Sequence, residues 1–152
     1  MQDRRKQPCD VVAARIRINA AVELRVTAQT HMGRCLLHVR EYILGDTNEF
    51  VATQKGISLS IDKLDAVLEA VRELRGAGST VGDHAIIQLG NGNEARFAIH
   101  SWQGATKADI RLYYKKAESG DMLPTKKGVR INLGLLGELE RGLEALEGEV
   151  SA

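Results

Sequence analysis

No stretch of this 152-residue chain approaches the roughly 20 consecutive apolar residues that cross a bilayer. The opening MQDRRKQPCD carries charge with no apolar core behind it, so no secretory leader is expected there. The expected location is the cytosol: cytoplasmic and nucleoid-associated in a bacterium or phage, nuclear in a eukaryote. Cysteine is limited to Cys9, in the polar tail, and Cys35, in a strand-like run. These are too few for a secreted disulfide framework and are not spaced as a metal pair, so free thiols are expected. His31, His38, His84 and His100 are scattered without an HExxH arrangement, and no G-x-S-x-G occurs. GNGNEA at 90–95 fits G-x-G-x-x-A, but a dinucleotide site needs a helix next, and ARFAIHSW alternates like a strand. No catalytic activity, cofactor or metal is expected.

The net charge of +1 also lacks the basic excess usual in a nucleic-acid binder. Its distribution is uneven, however. Residues 11–60 carry six Lys/Arg against four Asp/Glu, and residues 84–132 carry eight against four. The helix-like stretches 61–75 and 133–149 are acidic, with three against four and one against five. A basic surface therefore fits within a near-neutral chain. The composition, 43% hydrophobic and 27% charged, is that of a globular protein with one core or two small ones.

The chain contains a repeat. VATQKGISLSIDKLDAVLEAV (51–71) returns as LPTKKGVRINLGLLGELERGL (123–143), with Thr53, Lys55 and Gly56 answered by Thr125, Lys127 and Gly128 at a shift of 72. Further back the shift is 71: Ala14 pairs with Ala85, Glu23 with Glu94, Arg25 with Arg96, Gly33 with Gly104, Arg40 with Arg111 and Tyr42 with Tyr113. The change of shift falls within LGDTNEF, where a loop insertion is cheap. The glycines and small polar residues of RGAGSTVGD (75–83) mark a flexible connection between the copies.

Each copy opens with period-two alternation, Arg15 and Arg17 against Ile16 and Ile18, then Arg25 and Thr27 against Leu24 and Val26. Asn91-Gly92 between two such runs signals a hairpin, because both turn positions must accept positive φ. A third run follows Gly33 or Gly104, and a fourth follows the Lys-Gly pair. The period then lengthens: Ile61, Leu64, Val67, Val71 and Leu74 form one helix face, matched by Leu133, Leu136, Leu139, Leu143 and Leu146. Ser60 and Asn132 suit the N-cap position. The predicted fold is α+β: two tandem units of four antiparallel strands plus a C-terminal helix, packed as an intramolecular pseudo-dimer. One unit of about 70 residues would leave its apolar faces partly uncovered. The boundaries read as a flexible tail at 1–10, a first unit at 11–75, a linker at 76–83 and a second unit at 84–149.

On the third strand Leu36, His38, Arg40 and Tyr42 share one face, as do Lys107, Asp109, Arg111 and Tyr113 in the second copy. Arg96, Ala98, His100 and Trp102, the sole tryptophan, share a face of the preceding strand. Cations mixed with aromatic rings suit phosphate neutralisation and stacking of unpaired bases. A strand tyrosine or tryptophan is also ordinary packing material, and Lys55 and Lys127 also fit solvated turns with Gly56 and Gly128 present for backbone reasons.

VREYILGDTNEFVATQKGISLS and IRLYYKKAESGDMLPTKKGVRIN, each followed by a helix, resemble the transcriptional coactivator family positive cofactor four. The shared features are an Ile-Arg-x-Tyr strand, an acidic loop and a Pro-x-x-Lys-Gly-Ile-Ser-Leu lead into the last strand and helix. The resemblance implies four antiparallel strands plus a helix, dimerised through helices and sheets, with single-stranded DNA along the strands. It places Arg40, Tyr42, Lys55, Arg111, Tyr113, Tyr114 and Lys127 at DNA-contacting positions, and Trp102 at that of an aromatic on the preceding strand. With Arg25, Arg96, Lys107 and Lys126 these make up the candidate DNA-binding set. The first copy departs, with His31 for Trp102, Ile43 for Tyr114 and Ala52 for Pro124, so the second is expected to bind more strongly.

The expected function is sequence-tolerant single-stranded DNA binding with a transcription-accessory or DNA-maintenance role. The same platform admits single-stranded RNA. A protein-interaction coactivator role, with transcription machinery as partner, would use Glu138, Glu140, Glu144 and Glu147 on the acidic helix. No membrane partner is expected, and further pairing of chains stays open.

Overall fold

The computed structural model describes residues 9–151, so residues 1–8 of the expected tail lie outside the described residues. The first unit comprises β1 (Val11–Asn19), β2 (Val22–His31), β3 (Arg34–Leu44), β4 (Phe50–Ser60) and α1 (Leu64–Gly76). The second comprises β5 (Gly82–Gln88), β6 (Glu94–Trp102), β7 (Ala105–Lys115), β8 (Met122–Asn132) and α2 (Leu136–Ser151). Each sheet is an antiparallel meander in chain order, β1-β2-β3-β4 and β5-β6-β7-β8.

Turn chemistry sets the registers. Met32-Gly33 joins β2 to β3 and Gln103-Gly104 joins β6 to β7, with φ of 52° and 77°, and 48° and 78°. Two positive φ values in succession match the right-handed twist of the flanking strands and pin His31 opposite Arg34 and Trp102 opposite Ala105. The hairpin expected at Asn91-Gly92 forms, but Gly90 joins it with φ of 83°. The loop is closed by the Leu89 N–H donating to Asn93 O and the Asn93 N–H to Gly90 O.

Period two sends Leu24, Val26, Leu37, Val39, Ile57 and Leu59 inward from the first sheet, and Phe97, Ile99, Ile110, Val129 and Ile131 from the second. They form one continuous core with the helix stripes. The two helices are exchanged. α1 lies on β5 and β6 of the second sheet, α2 lies on β1 and β2 of the first, and α1 packs on α2. Gly142 lets α2 approach: a Cβ there would lie 2.7 Å from Cβ of Ala14 and 3.3 Å from Cγ2 of Val26. Arg72 donates to Glu144 at 3.1 Å and Arg75 to Glu140 at 2.9 Å, so the helices run antiparallel. Hydrogen bonding from Arg75 holds the Glu140 carboxyl below its usual range. β4 and β8 meet along the junction of the sheets. The two units thus pack as a pseudo-dimer.

The magnitudes show why neither unit stands alone. Ile61, Leu64, Val67, Val71 and Leu74 are each at most 1% exposed. At about 1.5–3 kcal/mol per buried side chain, one stripe contributes on the order of 10 kcal/mol. That is comparable to the whole net stability of a typical domain.

Two expectations need correction. Ser60 and Asn132 flank the helical segments but make no side-chain cap hydrogen bond. Both are the last paired residues of their strands, opposite Leu36 and Lys107, and a single 3-10 turn precedes each α-helix. The cysteines are not free: Cys9 and Cys35 form a disulfide with a Cα–Cα distance of 6.0 Å. The segment before β1 continues alongside β2, with the Thr30 N–H donating to Asp10 Oδ1, and Thr30 is itself opposite Cys35. Sheet register, not sequence spacing, brings the sulfurs together.

Thiol titration of the unfolded, unreduced chain is expected to find no free thiol, and reduction to lower stability by about 3 kcal/mol in denaturant melts. Residues 9–77 expressed alone are expected to lack a cooperative melt by circular dichroism; a folded, monomeric single unit would contradict the helix exchange.

Candidate nucleic-acid interface

The outward faces of the two sheets carry nearly the same construction. In the first unit the Arg25 guanidinium lies over the Tyr42 ring, 4.1 Å from its centroid, and within 6.0 Å of that of Phe50. Its Nε donates to Glu23 Oε2 at 2.6 Å. In the second unit Arg96 lies 4.3 Å over Tyr113 and donates to Glu94 Oε2 at 2.6 Å. Each tyrosine is thus held by a cation on one ring face, and the carboxylate fixes that cation. Register explains the match, since Glu23 faces Tyr42 and Arg25 faces Arg40, as Glu94 faces Tyr113 and Arg96 faces Arg111.

Beside these pairs the last strand bulges. Arg40 is opposite Gly56 but Tyr42 is opposite Ala52; Arg111 is opposite Gly128 but Tyr113 is opposite Pro124. Residues 53–55 and 125–127, three against the single Glu41 or Leu112, leave the ladder and thrust Lys55, Lys126 and Lys127 into solvent. A threonine locks each bulge: Thr53 Oγ1 donates to Glu41 O and accepts from the Lys55 N–H, and Thr125 Oγ1 does so with Leu112 O and the Lys127 N–H. The neighbouring arginine seals it, with Arg40 Nη1 donating to Thr53 O at 3.0 Å and Arg111 Nη1 to Thr125 O at 2.9 Å. Glycine is required because these arginines cross it. A Cβ at Gly56 would lie 2.5 Å from Val39 O and 2.6 Å from Cα of Arg40; one at Gly128 would lie 2.8 Å from Cβ of Arg111. Lys55 and Lys127 are therefore held on a strand bulge, not on a solvated turn, and the glycines permit close approach, not positive φ.

The surroundings of the two arginines differ. Arg111 donates to both carboxylate oxygens of Asp109, at 2.9 and 3.1 Å, and Arg130 Nε lies 3.7 Å from the same group. In the first unit the equivalents of Asp109 and Arg130 are His38 and Ser58. Arg40 Nη2 donates to Ser58 Oγ at 2.8 Å, and Ser58 Oγ is 2.6 Å from His38 Nδ1. Burial, reinforced by the Arg40 charge, lowers the His38 pKa and so favours the neutral imidazole. Each trio carries one net positive charge, but only Arg40 does so without a carboxylate partner.

Trp102 is 54% exposed at the end of β6, with the Arg130 guanidinium 5.1 Å from its ring centroid. Tyr114 is 43% exposed but points to the face opposite Tyr113. Lys107 is half-buried on β7 between His100 and Asn132. The structure gathers Arg25, Arg40, Tyr42 and Lys55 in one cluster, and Arg96, Arg111, Tyr113 and Lys127 in another. Glu23, Glu94, Phe50 and Arg130 belong to these clusters and were missed from the sequence. The repeat of Glu23 as Glu94 was the available signal for the first two.

A family model described as Transcriptional Coactivator p15 (PC4) matches the chain twice, over residues 18–70 and 89–141. The chain belongs to this family. Both matches run from around the end of the first strand of each unit into the helix, so two PC4 units stand in tandem. Among solved structures, a PC4 homologue from Burkholderia pseudomallei K96243 is 26% identical over 43% of this chain. The alignment spans 94% of that protein in its tetragonal crystal form and 86% in its orthorhombic form, each with a TM-score of 0.39. No curated protein sequence matches.

Gly56→Ala is expected to destabilise the protein by about 1–3 kcal/mol through overpacking against Val39 and Arg40, with the Lys55 bulge displaced; denaturant melts and backbone amide shifts at residues 53–56 check both.

Proposed function

We propose that the chain binds single-stranded DNA without strong sequence preference along the outward faces of both sheets, in a transcription-accessory role. The carrying observation is the duplicated cluster, an arginine packed on a tyrosine beside a bulge that presents lysine. Cations so placed neutralise phosphates, and a half-exposed ring offers a surface to any base. A duplex hides its base faces, which favours an unpaired strand. The half-sites are unequal in kind: the second offers Trp102 where the first has His31, whereas Tyr114 lies on the other face of its strand, and the first offers the carboxylate-free Arg40. Glu140 and Glu144 are tied to Arg72 and Arg75 in the helix pair, which weakens the reading in which they recruit a protein partner.

Anisotropy titrations with single-stranded DNA, duplex DNA and RNA of one sequence test the reading. Single strands are expected to bind most tightly, with a log–log salt slope near −0.7 per phosphate contacted; equal affinity for duplex, or a silent titration at low ionic strength, would overturn it. Trp102→Ala is expected to weaken strand binding by about 1–3 kcal/mol. Because Trp102 is the sole tryptophan, its emission in the native chain should change on the same titration.

A further inference from the structure

Where the sheets meet, a cleft of about 670 Å³ opens between the first unit's bulge and strands β7 and β8 of the second. Its charged walls are Lys55, Arg111, Lys126 and Arg130, against the single carboxylate of Glu41. Gln54 and Lys126 both line it and are equivalent residues of the two copies, so the cleft straddles the pseudo-twofold axis. It does not share that symmetry. Gln54 answers Lys126, Ser58 answers Arg130, and Leu112 answers Glu41. Cations therefore accumulate on the second unit's side.

We propose that this cleft is a single phosphate-binding seat, one per chain. Lys55 and Lys126 have no carboxylate within ion-pair distance among the described residues, so their charge is available to an anion. Arg130 is held ready by the Trp102 ring and by Asp109, whose oxygens are already occupied by Arg111. Lysine point charges flanking a pre-positioned guanidinium suit a phosphate ester, and the volume accommodates a diphosphate or one nucleotide. The shared chemistry is the phosphate group, supplied by a strand crossing between the sheets or by a free phosphate compound. The strand source rests on the function proposed above; the seat itself does not.

The chain supplies its own conservative replacements, since Lys126→Gln and Arg130→Ser install residues that the first copy already carries. Calorimetric titration of the full chain with inorganic pyrophosphate at low ionic strength is expected to give one equivalent bound. Each variant should weaken it roughly tenfold, the effect of losing one charge-assisted contact. Arg141→Gln, on the exposed side of α2, removes the same charge and should leave pyrophosphate binding unchanged. No uptake by the native chain, or uptake that persists in both variants or falls equally in Arg141→Gln, would overturn the seat. A labelled oligothymidylate added in competition separates the sources. Displacement by pyrophosphate assigns the seat to the strand, whereas one-to-one pyrophosphate binding without displacement assigns it to a free phosphate compound. Oligothymidylate bound equally well by native chain and variants, with no pyrophosphate uptake, would overturn the seat while leaving strand binding intact.

Discussion

Each helix covers the other unit's sheet, and the rest of the molecule follows from that exchange. Burial of the α1 stripe on β5 and β6, and of the α2 stripe on β1 and β2, leaves the opposite face of each sheet free of helical cover. The outward arginines, tyrosines and bulge lysines are displayed because the core lies entirely on the other side. The junction of β4 with β8 then aligns the two displays as one surface, with the cleft on its midline.

The architecture was legible because its signals are local and doubled. Period-two runs and turn glycines recur at a shift of 71 and five apolar helix positions at 72, and a pattern written twice is hard to mistake for chance. The arginine–tyrosine faces were equally legible, since alternation alone assigns Arg40 with Tyr42 and Arg111 with Tyr113. Non-local geometry stayed hidden. The disulfide depends on β1 continuing past Val11 beside Thr30, and the cap positions yielded to the ladder that still holds Ser60 and Asn132. Two roles for Lys55 and Lys127 were open in the sequence, and only the bulge beside Gly56 and Gly128, which Arg40 and Arg111 cross at close range, places them on a strand and not in a turn. Arg130 escaped notice because its partners, Asp109 and Trp102, come from two other strands.

Duplication within one chain also permits what a symmetric pair cannot hold. The environment of the bulge-sealing arginine is built from His38 and Ser58 in one unit and from Asp109 and Arg130 in the other, exchanged as a set while the backbone hydrogen bond to the bulge is kept. Neutral donors and acceptors serve in one place, a shared carboxylate in the other. Arg72 and Glu144 are equivalent positions of the two copies, and they meet each other across the helix pair. Identical subunits would bring like charges together there.

The short segment between Gly76 and Gly82, where Gly78 turns the chain at φ of 64°, joins the last helix of one unit directly to the first strand of the other. Two separate polypeptides would part on dilution, exposing both apolar stripes to an extent set by how many molecules a cell contains. A covalent tether fixes the partner at an effective concentration of about millimolar whatever the copy number. The binding surface therefore persists even when the protein is scarce.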